Sequence, residues 1–234
     1  DRSPANRGRD GVALSWNLQA TDKLDLTADY YHLKTDEQQD LGTWTLDSGK
    51  PATNIPVYVQ DEDFLKSEID TFTLRARYYL DDKTRITNLT RYGTTDNGYV
   101  ITGANDRATH ATNPGGVYNT VSLSTHQGWQ EVEYFANQTN LYAERNLWGM
   151  DHEFIFSLEY SDHSVLNGQY TYSGNSNCVV SGRGGNPSNA VCIVDPSGNY
   201  VNNIGSLLDR SISKGDADID WNAKTISLSA MDTI

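Results

Sequence analysis

Long apolar runs are missing from this chain. None of its 234 residues lies in a stretch approaching the ~20 consecutive apolar residues of a membrane-spanning helix. A helical membrane protein is excluded. A transmembrane barrel is not, because its strands need only about ten residues each and half of those are polar. Basic charge is scarce too. The 18 Lys and Arg stand against 31 Asp and Glu, for a net charge of -13. That argues against nucleic-acid binding through a general basic field. The acidity collects in TDEQQD (35–40), QDEDF (60–64) and DADID (216–220), which read as solvated stretches between elements.

Catalytic and metal signatures are also lacking. The five histidines, His32, His110, His126, His152 and His163, show no His-x-x-x-His or related ligand spacing. DADIDWNAKTIS (216–227) imitates the start of an EF-hand loop, but Trp221 stands where the turn needs Gly and Ser227 where it needs Glu. No Gly-x-Ser-x-Gly, P-loop or dinucleotide fingerprint occurs. The sequence therefore predicts no enzyme, no resident cofactor and no metal site. There are only two cysteines, Cys178 and Cys192, in the Gly-, Ser- and Asn-rich stretch SGNSNCVVSGRGGNPSNAVCIVDPSGN. A disulfide stapling this segment implies an oxidising compartment and would stabilise by about 3 kcal/mol. The alternative is two unrelated thiols.

What the sequence does hold is alternation with a period of two, the mark of a strand with one apolar and one polar face. In 11–20, Val12, Leu14, Trp16 and Leu18 share a face. In 24–36, Leu24, Leu26, Ala28 and Tyr30 alternate with Asp25, Thr27, Asp29 and Tyr31. Phe72, Leu74, Ala76, Tyr78 and Leu80 do the same in 70–80, followed by 84–92. A third hairpin runs from about 129 to 166 around NLWGMD, and a last strand covers about 221–234. Seven strands and no helix are expected. Pairing Ala20 with Leu24, and Leu80 with Thr84, sets Leu18 against Leu26, Trp16 against Ala28, Tyr78 against Ile86 and Phe72 against Tyr92. Apolar then meets apolar throughout.

The connections are lopsided. Thr21-Asp22-Lys23, Asp81-Asp82-Lys83 and NLWGMD are tight, whereas about 35–68, 95–125 and 167–220 are long and rich in Gly, Asn, Ser and Asp. Short turns at one end and long loops at the other are the asymmetry of an outer-membrane barrel. A compact sandwich joins its strands by loops of about 2–5 residues. Tyrosine is abundant, at 14 residues against 5 Phe and 5 Trp. Tyr30, Tyr31, Tyr92 and Tyr160 lie at the long-loop ends and Tyr78 and Tyr79 at a short-turn end, as two interfacial girdles require. The predicted fold is all-β: an antiparallel transmembrane β-barrel segment, about seven strands of a larger barrel, with short periplasmic turns and long extracellular loops. Leu24, Leu26, Ala28 and Tyr30 then face lipid, and Asp25, Thr27, Asp29 and Tyr31 line the lumen.

Several stretches, in order, resemble the TonB-dependent siderophore receptors of the bacterial outer membrane. They are DKLDLTADYYHLKTDEQQDLGTW (22–44), TRITNLTRYGTTDNGYVIT (84–102), FANQTNLYAERNLWGMDHEFIFSLEYS (135–161) and SAMDTI (229–234). Residues 1–234 are expected to be a middle slice of such a barrel. The family's N-terminal plug and energy-coupling box have no counterpart here, and the chain ends at Ile234 rather than at an aromatic residue. After Tyr30-Tyr31 the chain also has Gln39-Asp40-Leu41-Gly42 where the family often has a Pro-Asp-Tyr-Gly turn. The resemblance implies import of a ferric siderophore as transported ligand, with TonB acting through the plug. Outer-membrane lipid is the third partner it implies. A passive porin-like channel and a secreted β-sandwich or β-solenoid module that binds carbohydrate are the alternatives.

The candidate ligand-binding residues follow from the expected lumen face and loops. Arg75, Arg77, Arg85 and Arg91 fall on one face of two adjacent strands, and guanidinium groups suit an anionic, aromatic ferric catecholate. Of these, Arg75, Arg77 and Arg91 are the strongest candidates. A structural ladder with Asp25, Asp29, Glu144 or Glu159 is the competing role. Trp44, Tyr58, Tyr99 and Tyr118 are candidate loop aromatics for first capture of ligand, or else pack within the loops.

Overall fold

Alternation in the sequence becomes one continuous antiparallel sheet. The computed structural model describes residues 5–42, 49, 57–109, 118–174, 190–192 and 203–234. The strands are β1 (Asn6–Thr21), β2 (Leu24–Gln38), β3 (Phe64–Asp81), β4 (Thr84–Thr109), β5 (Tyr118–Leu147), β6 (Met150–Gly174), β7 (Ala190–Cys192) and β8 (Arg210–Thr233). Their order is β1-β2-β3-β4-β5-β6-β8, with the three-residue β7 paired to the far end of β5. One 3-10 turn, Ile204–Ser206, precedes β8. No helix among the described residues is long and apolar enough to cross a membrane.

The expected registers hold across the body of each hairpin. Leu18 pairs with Leu26, Trp16 with Ala28 and Leu14 with Tyr30; Tyr78 pairs with Ile86 and Phe72 with Tyr92. The two tightest turns differ. A bulge at Gln19/Thr21 makes Thr21, not Ala20, the partner of Leu24, and one at Tyr79/Asp81 makes Asp81 the partner of Thr84. An extra residue at a strand end is the usual way to tighten local twist into a turn. The third turn has Trp148 and Gly149 at φ 53° and 80°, between the paired Leu147 and Met150. Positive φ at both central residues is the type I′ geometry that matches hairpin twist.

The strands run further than alternation alone suggested. Residues 95–109 and 118–125, expected as loop, continue β4 and β5, which reach 26 and 30 residues. β6 continues to Gly174 and β8 begins at Arg210. The one-sided apolar pattern stops where the strands leave the greasy band, but backbone pairing does not. Glycines let large rings lie on the sheet there. A Cβ on Gly93 would sit 2.5 Å from the Tyr134 ring, and one on Gly168 would sit 2.4 Å from Trp129.

Successive residues alternate between two faces. One carries Leu14, Trp16, Phe72, Leu74, Phe156, Ile226 and Leu228, all exposed. No second sheet covers this face among the described residues; a two-sheet sandwich would bury these side chains. The buried core lies instead at the loop end, where Tyr58, Val121, Leu123, Val191 and Leu207 cluster. Segments from two long connections are thus fastened to the upper β4–β5 hairpin.

Candidate ligand-binding wall

The polar face is organised in tiers, because antiparallel pairing carries each residue level across all seven long strands. One tier holds Asp25, Arg77 and Thr87; the next toward the loops holds Thr27, Arg75, Leu89 and Glu159; the next holds Asp29, Thr73 and Arg91. As expected, Arg75 faces Leu89 and Arg77 faces Thr87. The three arginines therefore climb one face of β3 and β4 in successive steps of about 7 Å.

Their surroundings separate them. Arg75 pairs with Asp29, whose other carboxylate oxygen accepts from Ser15 at 2.7 Å. Arg75 is thus a rung of a charge ladder. Arg91 donates through Nε to Thr73 Oγ1 at 3.1 Å. Among the described residues neither Arg77 nor Arg91 has an ion pair. Arg85 stacks over Tyr142 at 4.3 Å. The expected basic patch thus divides into one guanidinium in an ion pair, one stacked and two without an ion pair among the described residues, Arg77 opposite Asp25 and Arg91 within the field of Asp29.

The loop aromatics divide as well. Trp44 lies outside the described residues, and so does Cys178, so the expected disulfide with Cys192 falls there too. Cys192 contributes its backbone to β7, opposite Thr120. Tyr118 opens β5. Tyr58 is 6% exposed and belongs to the loop-end core, so it packs rather than presents its ring. Tyr99 is exposed on the polar face of β4, over Gly128.

Two groups escaped the sequence. The first is a buried polar lock. Asp63 accepts from the Gln60 and Thr102 amides at 3.0 Å, from Thr102 Oγ1 at 2.9 Å, and from Arg210. Arg210 also donates to Thr125 Oγ1 at 2.7 Å. Burial pushes the Asp63 carboxyl upward against the pull of these donors. The second is a row of rings on the polar face, Tyr134, His163 and Trp221. Gly93 opposite Tyr134 is the one sequence signal for it, legible only once the register is known.

On the apolar face, above Tyr30, the donor atoms of His32, Glu68 and Asp70 lie within 4.8 Å of one another. Asp70 accepts from Tyr30 and His32, and Glu68 from Lys34, so these groups already satisfy one another as a cross-strand charge ladder.

No family model matches the chain. Over 171 residues it is 29% identical to a probable TonB-dependent siderophore receptor PiuA of Acinetobacter baumannii, a match covering 69% of this chain and 22% of the relative. Over 129 residues it is 30% identical to the catecholate siderophore receptor Fiu of Escherichia coli O157:H7, covering 54% and 17%. Among solved structures, the siderophore receptor PiuA from A. baumannii superposes with a TM-score of 0.68 at 23% identity, over 99% of this chain and 33% of that one. The ferric-catecholate import receptor Fiu from E. coli K12, in its closed form, gives 0.67 at 20%, over 99% and 32%. The chain thus spans about a fifth of the length of these curated relatives. Its relatives by sequence and by fold are siderophore receptors, and its fold is that of a segment of their barrel wall. In such a wall one face is turned outward and the other inward, which matches the apolar and polar faces of this sheet.

Proposed function

We propose that this chain is part of an outer-membrane TonB-dependent receptor that imports ferric siderophores of catecholate type. Ligand binds at the extracellular loops and the upper lumen wall. No bond is made or broken; the ferric complex is cargo. TonB would act through a plug region beyond these residues. Support comes from the relatives, named as receptors for siderophores and, in one case, for catecholate siderophores. The single observation on which the site rests is the pair Arg77 and Arg91, lumen-facing cations on adjacent strands with no ion pair among the described residues. Guanidinium groups beside a wet lumen suit an anionic chelate.

Arg77→Ala and Arg91→Ala, in the full-length receptor, are expected to weaken ferric-catecholate binding by about tenfold together, while heat-modifiable migration on a gel stays intact. Unchanged binding in both would remove the arginines from the site. Arg75→Ala is expected to affect assembly more than binding, because its partner is Asp29.

A further inference from the structure

The outward face of the upper wall changes its cover with height. Phe72, Leu74 and Tyr92 stand exposed in the greasy band. Above them, on the same face, come Asp70 and Glu68 of β3, Asp96 of β4 and Glu133 of β5, a charged zone. Higher still the face turns apolar again, with Val100 of β4 and Val121 and Leu123 of β5, and these three are buried. Counting in twos along each strand from the paired Tyr92 and Phe135 places them outward, on the side away from the lumen.

The cover of this upper zone is chain. Tyr58 and Leu207 pack with Val121 and Leu123. Asp63 accepts from Thr102 Oγ1 at 2.9 Å, and Arg210 donates to Thr125 Oγ1 at 2.7 Å; Thr102 and Thr125 are paired on the same outward face. The two covering segments also hold each other. The Asp61 amide donates to the Gly205 carbonyl at 2.7 Å, Asn203 Nδ2 donates to Asp61 Oδ2 at 3.0 Å, and Gln60 Nε2 donates to the Ile204 carbonyl at 3.1 Å. On the lumen side of the same hairpin, Tyr99 stays exposed.

We infer that residues 57–63 and 203–210 form one clamp on the outside of the wall, which stays shut while cargo enters, so that closure over a ligand is not the work of these two segments. The inference rests on the transport reading for its cargo and on the fold alone for the clamp. Opening the clamp would strand Asp63 or Arg210, both almost fully buried, as an unpaired charge. A ligand shifts such an equilibrium only by the difference in its contacts with the open and shut states. Cargo in the lumen lies across the sheet from the clamp and touches neither state, so it has nothing with which to offset that cost. Because the Asp63–Arg210 pair joins both segments, neither lifts alone.

The test fastens the clamp covalently in the full-length receptor. A Cβ on Gly205 would stand 2.9 Å from Asp61 Cγ. That is about the spacing a disulfide sets between a Cβ and the sulfur beyond it, so Asp61→Cys with Gly205→Cys should close under mild oxidant. The unsubstituted receptor, taken through the same oxidation and reduction, is the reference, because the chain has Cys178 and Cys192 of its own. The probe is a synthetic ferric tris-catecholate. Oxidised and reduced forms of the double variant are expected to bind it, and to import it into cells, within about threefold of each other. A larger fall on oxidation, absent from the reference, means that the segments must part and overturns the clamp. If the unsubstituted receptor neither binds nor imports the probe, the transport reading fails. The clamp is then judged without ligand: conversion of the double variant to the disulfide above about half supports it, and conversion below that overturns it.

Discussion

Arg210 donates a charge-assisted hydrogen bond to Asp63, 147 residues away in sequence, and the two side chains are only 2% and 3% exposed. The pair joins the end of the β2–β3 connection to the start of β8, across Thr102 of β4 and Thr125 of β5. Gln60, fully buried, adds donors to the Tyr58 and Ile204 carbonyls at 3.0 and 3.1 Å and accepts from the Leu208 amide at 3.1 Å. Two long connections are thereby held to one hairpin.

Breaking one half of a buried pair leaves the other charge stranded. Asp63→Ala is expected to destabilise the loop-end unit by about 3–5 kcal/mol. The measurement is hydrogen exchange of residues 57–63, 100–104 and 203–210. All three stretches should lose protection together, while β1 and the turn ends do not. Loss confined to 57–63 would mean that the connections are independently held.

The two faces of β8 give a paired test of the membrane assignment. Leu228 is 80% exposed on the apolar face, opposite Leu158; its neighbour Ser227 faces the lumen, opposite Glu159. Leu228→Lys is expected to cost about 2–4 kcal/mol if it lies near the midplane. Ser227→Lys gains a cross-strand carboxylate and should cost far less. Unfolding in lipid vesicles by denaturant reads the difference. Equal costs would remove the lipid face.

Four polar residues interrupt that greasy face without being left unpaired. Asn88 Nδ2 donates to Asn137 Oδ1 at 3.1 Å and to Thr139 Oγ1 at 2.8 Å, and Asn137 Nδ2 donates to Asn88 Oδ1 at 3.2 Å and to Thr90 Oγ1 at 2.7 Å. Both amides are saturated inside the cluster. Asn88→Ala strands the groups of Asn137 in an apolar setting and is expected to cost about 1–2 kcal/mol. Adding Asn137→Ala should cost much less than Asn137→Ala does alone. Simple additivity in that double-mutant cycle would contradict the closed network.

At the upper end of β1 the test is pH. Arg9 holds the buried Glu37 carboxyl below its usual range through hydrogen bonds at 2.9 and 3.1 Å. A depressed carboxyl stabilises the fold above its unfolded pKa of about 4.3 and loses that contribution as pH falls through the folded value. Protection of amides 6–10 should therefore drop as the pH is lowered below about 4. In Arg9→Gln that acid step should shrink. An unchanged acid profile in the variant would detach Glu37 from the effect.

Much of this was legible in the residue order, for a physical reason. A strand between lipid and water must alternate, so Leu24, Leu26 and Ala28 against Asp25, Thr27 and Asp29 declared both a strand and its two faces. Tight Asp-Lys turns then fixed antiparallel neighbours, and apolar matching fixed register to within one bulge. The same order could not mark the upper halves of β4 and β5, because TTDNGYVITGAN is wetted or covered in ways that leave no period. Nor could it tell which arginine is free. Arg75, Arg77 and Arg91 are chemically alike and Asp25 and Asp29 both lie across the β2–β3 ladder, yet the side chains close an ion pair only between Arg75 and Asp29. The ring row and the Asp63–Arg210 lock belong to tertiary structure alone. Tyr134, His163 and Trp221 come from three strands, and Asp63 stands just before β3 while Arg210 opens β8. Their meeting depends on the summed register of every hairpin between them, which no local pattern encodes.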